Sequence, residues 1–245
     1  SEFPILAKFI DAKKDLSVQV HPDDAYARKY EQQNGKTEMW YVIDADIGAQ
    51  LIYGFRHKVD EKILRKAVNM GTLDKHLQKV EVHKGDVFYV PAGTIHGIGA
   101  GILVAEIQES SNVTYRVYDY DRVDKNGKKR ELHFDKAVQV MNMDVTPDVK
   151  QKPKIVKHYP GCARELLCRC KYFEVERIQV TKAFSFSVLE ESFQVIMCLD
   201  GGGQIETMDE NLKPVRFVKG RTVFLPAGLG RCLVVGDATV LKIRC

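Results

Sequence analysis

From Leu16 to His21 the chain reads L-S-V-Q-V-H, apolar and polar residues in strict alternation. A period of two predicts a strand with Leu16, Val18 and Val20 on one face and Ser17, Gln19 and His21 on the other. Further short β-type runs are FPILAKFI, EMWYVI, AQLIYGF, KVEVH, DVFYVP, GILVAEIQE and VTYRVYDY, parted by Gly, Asp and Pro turns. That rhythm predicts an antiparallel sandwich or barrel. Helical patterning is rarer. PDDAYARKYEQ offers Pro22 as a first helical residue with acids in the first turn, DEKILRKAVNMG runs from a capping Asp60 to a terminating Gly71, and ELHFDKAVQVMN follows the KNGKK turn. These helices are expected as inserts decorating a β core.

Residues 144–160, DVTPDVKQKPKIVKHYP, hold three prolines and no sustained period, so they read as a linker. A second β-rich unit follows, with runs such as RELLCRCKYFEVERIQV, KAFSFSVLE and FQVIMCLDGGGQIETM. The expected division is 1–143, 144–160 and 161–245. Comparing GDVFYVPAGTIHGIGAGILVAEI from Gly85 with GRTVFLPAGLGRCLVVGDATVLKI from Gly220 shows the same glycine, apolar alternation and Pro-Ala-Gly turn at an offset of 135 residues. Two copies of one β-barrel motif are implied. Arg231 takes the place of His96 in the second copy, so the two cannot share a chemistry that needs that imidazole.

With 245 residues, 44% hydrophobic and 29% charged, the chain can bury one large core or two modest ones. No apolar run reaches the ~20 residues of a membrane span, and the start SEFPILAKFIDAKKD has no signal-peptide pattern. A cytoplasmic protein without a membrane partner is expected. The net charge of +4 comes from Lys and Arg interleaved with Asp and Glu, which argues against a nucleic-acid partner and leaves room for a small anionic ligand. The six cysteines lie in the last third of the chain without a C-x-x-C pair. Free, mostly buried thiols are expected, ahead of a zinc site on Cys168 and Cys170 or a disulfide framework.

Three segments place polar groups where a half-buried strand normally carries apolar ones. They are Ser17, Gln19 and His21; Lys36 and Glu38 in GKTEMW; and His96 beyond the Pro91-Ala92-Gly93 turn. Two imidazoles, a carboxylate and an amide oxygen form a donor set that suits zinc or another divalent first-row metal. The competing reading is plain: a satisfied histidine beside a strand and a surface glutamate. His57, His76, His83, His133 and His158 show no comparable pairing and read as surface or structural.

L-S-V-Q-V-H-P-D at 16–23, G-K-T-E-M-W at 35–40, P-A-G-T-I-H at 91–96 and S-N-V-T-Y-R at 111–116 together resemble type I mannose-6-phosphate isomerases in their short bacterial form. The resemblance spans most of residues 3–140, with the motifs in family order. It implies a mainly β protein of two cupin-type (jelly-roll) β-barrels with helical insertions in the first, and a metal-free second cupin-like domain. It also implies one catalytic Zn2+ per chain, or another divalent metal, on Gln19, His21, Glu38 and His96. Lys36 corresponds to the family's lysine ahead of the metal-binding glutamate, although Thr37 and Gly35 replace its proline and histidine. Arg116 falls on the active-site arginine, with Asn112 and Val117-Tyr118 departing from the longer enzymes' pattern and T-Y-R-x-Y-D-Y matching the short form.

The implied reaction interconverts mannose 6-phosphate and fructose 6-phosphate through an enediol, with Lys36 and Arg116 catalytic and Ser17, Lys36 and Arg116 in contact with a sugar phosphate. A monomer or weak homodimer is expected. Family members carry a further segment ahead of FPILAKFIDA, so the chain resembles a truncated form. Two rival readings share the donor set: an Fe(II) cupin dioxygenase and a sugar-binding cupin without turnover.

Overall fold

Val18 and Val20 are fully buried, as the alternation requires, but Ser17 and His21 on the opposite face are buried too, and Leu16 is left 38% exposed. The strand therefore has an interior on both sides, one apolar and one polar. The computed structural model that shows this describes residues 3–209 and 211–245 and divides the chain into two units, Ser1–Gln151 and Lys152–Cys245.

In the first unit the strands are β1 (Ile5–Ala12), β2 (Val18–Val20), β3 (Glu38–Ala45), β4 (Gln50–Phe55), β5 (Leu77–Glu81), β6 (Val87–Val90), β7 (His96–Gly97), β8 (Ile102–Glu109) and β9 (Tyr115–Tyr118). They form a four-stranded sheet in the order β1-β8-β3-β6 and a five-stranded sheet in the order β5-β4-β7-β2-β9. One face of the five-stranded sheet packs Val18, Val20, Ile52 and Phe55 against Leu64 and Ala137, which belong to the helices α2 (Glu61–Asn69) and α3 (Phe134–Val140). Leu51 and Tyr53 of the other face join Trp40, Val42, Phe88, Val90 and Val104 of the four-stranded sheet in a second apolar cluster. The two sheets thus share an interior, and the polar face of β2 looks into it.

Local chemistry sets the helix ends. α1 (Asp24–Tyr30) is capped by Asp23, whose carboxylate accepts from Tyr26 N at 2.8 Å. Pro22, expected as the first helical residue, instead precedes the cap, because the aspartate carboxylate satisfies a free N–H that proline cannot. Asp60 does cap α2, accepting from Ile63 N at 2.7 Å, and Gly71 follows its end with φ +64, a left-handed conformation that glycine adopts at no steric cost. α3 begins at Phe134, three residues after the expected Glu131, because Glu131 and His133 engage Arg116.

The second unit contains β10 (Lys154–Tyr159), β11 (Cys162–Arg169), β12 (Glu174–Val180), β13 (Ala183–Val188), β14 (Gln194–Thr207), β15 (Val215–Val218), β16 (Thr222–Leu225) and β17 (Gly230–Arg244). All their pairings are antiparallel in one eight-stranded sheet, over a core that includes Ile178, Phe184, Ile196, Val234 and Val240. The stretch expected as a linker contributes β10, which pairs with β11; Pro147, Pro153 and Pro160 all lie outside that strand, where their missing N–H costs no ladder bond.

The chain is mainly β, yet no sheet closes into a hydrogen-bonded barrel among the described residues. In the first unit, side chains rather than a continuous ladder join the sheets, as in a sandwich. No helix among the described residues is long and apolar enough to cross a membrane.

Candidate functional site

Strand register brings the polar residues of the five-stranded sheet into one row. Gln19 of β2 faces His96 of β7 on one side and Arg116 of β9 on the other, and His96 faces Tyr53 of β4. Residues directly opposite across a ladder stand roughly 5 Å apart at Cβ, so the row places an amide, an imidazole and a guanidinium side by side. The four-stranded sheet supplies two more rows: Leu6, Gln108, Glu38 and Val90, then Lys8, Glu106, Trp40 and Phe88.

The two sets meet at Glu38. His21, Glu38 and His96 are buried and offer one ligand atom each within 4.8 Å of one another. Glu38 Oε1 lies 3.3 Å from His21 Nε2, and Glu38 Oε2 lies 3.7 Å from His96 Nε2. Gln19 Nε2 is 3.5 Å from both imidazole Nε2 atoms, while Ser17 Oγ donates to Gln19 Oε1 at 3.5 Å. Gln19 and Ser17 therefore reach the cluster, and Gln19 can turn either end of its amide toward it.

Both imidazoles are fixed by backbone. His21 Nδ1 bonds to the Val113 carbonyl at 2.9 Å and His96 Nδ1 to the Thr94 carbonyl at 2.8 Å. A carbonyl only accepts, so each Nδ1 carries the proton and each Nε2 keeps its lone pair for the site. Burial lowers the pKa of both rings, His96 to about 3, with its neighbour His21 adding to the effect. They are neutral donors at physiological pH.

Burial by itself would raise the pKa of Glu38, but Lys36 and then the imidazoles overcome it and hold the group well below the usual carboxylate range. Lys36 Nζ stands 2.6 Å from Glu38 Oε1 and 3.1 Å from His21 Nε2. The Lys36 ammonium pairs with Oε1, while buried Oε2 has no hydrogen-bond partner among the described residues. A buried carboxylate oxygen without a hydrogen bond is costly unless something else takes its lone pairs. With two neutral imidazoles, the donor set fits a divalent cation.

Lys36 owes its place to Gly35. A Cβ at Gly35 would sit 2.5 Å from the Asp24 backbone N, so only glycine lets this segment lie against the start of α1. Gly35 N donates to Asp24 Oδ1 at 3.0 Å and Lys36 N to the Pro22 carbonyl at 3.0 Å. Arg116 is half-buried and fixed by a returning loop. Its N donates to His133 Nδ1 at 3.2 Å, its Nη1 to the Glu131 carbonyl at 2.9 Å, and its Nε has no partner among the described residues. Buried Asp119 holds that loop through Arg122 and Arg130.

Four residues that the sequence reading passed over belong here. Glu106 accepts from Trp40 Nε1 at 3.1 Å and from Lys8 Nζ at 3.1 Å; Lys8 also bonds Gln108, and the Trp40 ring meets His96 edge-on at 5.3 Å between centroids. Burial, helped by the charge of Glu38, raises the pKa of Glu106. The signal for two of the four was present in β8, where Glu106 and Gln108 interrupt the inward face of GILVAEIQE.

Residues 1–56 match the family model "Phosphomannose isomerase type I, catalytic domain", and residues 164–244 match "Mannose-6-phosphate isomerase, cupin domain". The chain is 40% identical over 238 residues to "Mannose-6-phosphate isomerase ManA" of Bacillus subtilis (strain 168), covering 96% of this chain and 73% of that protein. The chain belongs to the type I mannose-6-phosphate isomerase family. It is 52% identical over 241 residues to the "Mannose-6-phosphate isomerase" of Streptococcus mutans serotype c (strain ATCC 700610 / UA159), covering 98% of this chain and 74% of that one. The crystal structure of the mannose 6-phosphate isomerase from Bacillus subtilis superposes with a TM-score of 0.87 at 35% identity, over 99% of this chain and 75% of that one.

Internal repetition explains why the described residues of the second unit show no such cluster. In the first unit Glu38 is flanked by Val90 and Gln108; in the second Gln194 is flanked by Leu225 and Arg244. Gln194 thus holds the place of Glu38. The neighbouring Lys8–Glu106 pair returns with its charges exchanged, as Glu176 and Lys242, 3.3 Å apart, with Arg164 also on Glu176 at 2.6 Å. Arg231 holds the place of His96. An amide and cations stand where the first unit has a carboxylate and an imidazole, and cations repel a metal.

Proposed function

We propose that the first unit carries the isomerase reaction, interconverting mannose 6-phosphate and fructose 6-phosphate, with a divalent cation held by Gln19, His21, Glu38 and His96. Zinc is the ion proposed, one per chain, because the set is two imidazole nitrogens with hard-to-borderline oxygens. One observation carries this reading: two imidazole Nε2 lone pairs, each oriented by a backbone carbonyl, converge on the buried Glu38 carboxylate, whose Oε2 has no hydrogen-bond partner among the described residues. Gln19 joins the set once its amide turns to present Oε1.

When bound, the ion supplies Lewis-acid stabilisation of negative charge on substrate oxygens, worth several kcal/mol. The chain's own groups do the rest. Arg116, whose planar fork keeps its charge, holds a sugar oxygen that gains negative charge as the C–H bond at C2 or C1 breaks. Lys36 is the proposed proton carrier at Nζ, since it is buried beside the donor set on a flexible stem. Ser17 donates a hydrogen bond to the substrate, and Lys8, exposed but anchored by Glu106 and Gln108, adds a third cation beside the site.

The test is metal analysis of the purified protein together with a coupled assay for fructose 6-phosphate, before and after chelation. Parallel loss and recovery of metal and turnover are expected. Full turnover after complete metal removal would overturn the metal assignment, and oxygen uptake with substrate would favour the dioxygenase reading.

A further inference from the structure

The face of the five-stranded sheet that looks away from the metal donors carries a cavity of its own. Strand register builds its floor. Ile52 of β4 stands opposite Lys79 of β5 on one side and Gly97 of β7 on the other. A period of two sets Gln50 beside Ile52 on this face, and Leu77 beside Lys79. Ile52 and Leu77 belong to the apolar cluster under α2 and α3, against which Tyr118 and Tyr120 also pack. Between them lies a cavity of about 310 Å³, rimmed by Asp15, Gln50, Asp74 and Lys79. That is the small end of ligand cavities, with room for one ring and not for a nucleotide.

The wall is aromatic and held in place. The Tyr118 and Tyr120 rings stand 4.8 Å apart between centroids, and Tyr120 has φ +56, a left-handed backbone that non-glycine residues adopt only where their surroundings impose it. The Arg122 guanidinium lies 5.3 Å from the Tyr120 ring centre and donates to the Asp15 carbonyl, which ties the wall to the rim. The rim has polar atoms to spare. Asp15 Oδ1 accepts from Ala100 N at 2.9 Å, but Asp15 Oδ2 and the side chains of Gln50, Asp74 and Lys79 make no hydrogen bond among the described residues.

We propose that this cavity binds an unphosphorylated monosaccharide, as a second ligand site separate from the metal centre. A pyranose has C–H faces that pack on aromatic and aliphatic side chains, and a circle of hydroxyls that donate to carboxylates and accept from an ammonium or an amide. Tyr118, Ile52 and Leu77 meet the first requirement; Asp15, Asp74, Gln50 and Lys79 meet the second. Charge separates this ligand from the sugar phosphates of the reaction. Two carboxylates against one ammonium leave the rim net negative, since Asp119 matches the charge of Arg122, and a phosphate dianion is repelled. Gly97 adjoins His96, and Tyr118 pairs with Val18 beside Gln19, so the occupant lies behind the donor strands without reaching the donors.

Titration of the full chain with D-mannose, followed through the backbone amides by NMR, tests the proposal. Saturable shifts are expected at Gly48, Gln50 and Lys79 with a dissociation constant of about 1 mM, and they should persist with mannose 6-phosphate at saturation. Mannose 6-phosphate itself should bind the cavity at least about tenfold more weakly than mannose, and so should cyclohexanol, which keeps a ring and a single hydroxyl. Tyr118→Ala should weaken mannose about tenfold, with the fold checked by circular dichroism. Asp74→Ala, at an exposed position, should weaken it about threefold and decides the matter if the tyrosine variant does not fold. The absence of saturable shifts at those amides would overturn the proposal. So would shifts confined to residues 17–21 and 96 that mannose 6-phosphate abolishes, mannose 6-phosphate or cyclohexanol binding the cavity as tightly as mannose, or unchanged affinity in either folded variant.

Discussion

Replacing Trp40 with phenylalanine tests how the four-stranded sheet supports the site. Trp40 is 1% exposed and is the one tryptophan of the chain; its Nε1 donates to Glu106 Oε2 at 3.1 Å, and its ring meets the His96 ring edge-on. Phenylalanine keeps most of the apolar contact but removes the donor, which leaves a buried carboxylate oxygen without that bond. A hydrogen bond to such a group contributes about 1.5–3 kcal/mol. The smaller ring also leaves a void of roughly 40 Å³, which at ~24 cal/mol per Å³ adds about 1 kcal/mol. The expected cost is about 3 kcal/mol in urea unfolding of the metal-free chain, followed by circular dichroism because the indole is gone. Weaker support of His96 should also lower metal affinity, by about tenfold on the scale of other outer partners of metal-binding histidines. Repeating the substitution in a Glu106→Leu background isolates the bond, since no acceptor remains there, and the cost should fall by at least about 1 kcal/mol. An unchanged cost in that background, or an unchanged metal affinity, would refute the coupling from Glu106 through Trp40 to His96.

Lys36→Met keeps the stem and removes the charge; turnover should fall at least about a hundredfold with metal content unchanged, whereas metal loss equal to that of His96→Ala would make Lys36 a structural residue. Burial raises the pKa of Glu109 to about 7 although its Oε2 accepts from Thr37 N at 2.7 Å. The folded state therefore holds this proton more tightly than the unfolded one, so the contribution to stability is complete below about 4.5 and is lost as pH rises through about 7. Glu109→Gln, which keeps the acceptor, should accordingly match wild type near pH 4 and exceed it by about 2 kcal/mol at pH 8; parallel stability–pH curves would contradict that. Gly71→Ala should cost about 1 kcal/mol in the same unfolding assay, from the left-handed backbone alone, because a Cβ there meets nothing within 4 Å.

Period-two patterning located most of the strands because they bury an apolar face, and Asp60 and Gly71 marked the ends of α2 because caps are local chemistry. What the pattern could not supply was partnership across the chain. Nothing local in GILVAEIQE names the partners of Glu106 and Gln108; the place of β8 between β1 and β3 supplies them, setting Gln108 opposite Glu38 and Glu106 opposite Trp40. His133, read as surface or structural, takes a structural part whose partner no local pattern names: its ring and backbone both bind the backbone of Arg116. The prolines around 144–160 disguised β10, since they bracket the strand without entering it. Gln19, His21, Glu38 and His96 were legible for the converse reason. Each belongs to a short motif whose residue types, two imidazoles, a carboxylate and an amide, are a metal-donor set on their own chemistry, and the fold brings them within reach of one another.

The central claim is that these donors share one cation, and anomalous diffraction from crystals grown with zinc tests it most directly. The account predicts a single peak in the first unit, within about 2.0–2.2 Å of His21 Nε2, His96 Nε2 and a Glu38 oxygen, with Lys36 Nζ moved off the carboxylate. A peak elsewhere, or no peak while the Lys36–Glu38 contact persists at saturating zinc, would contradict it.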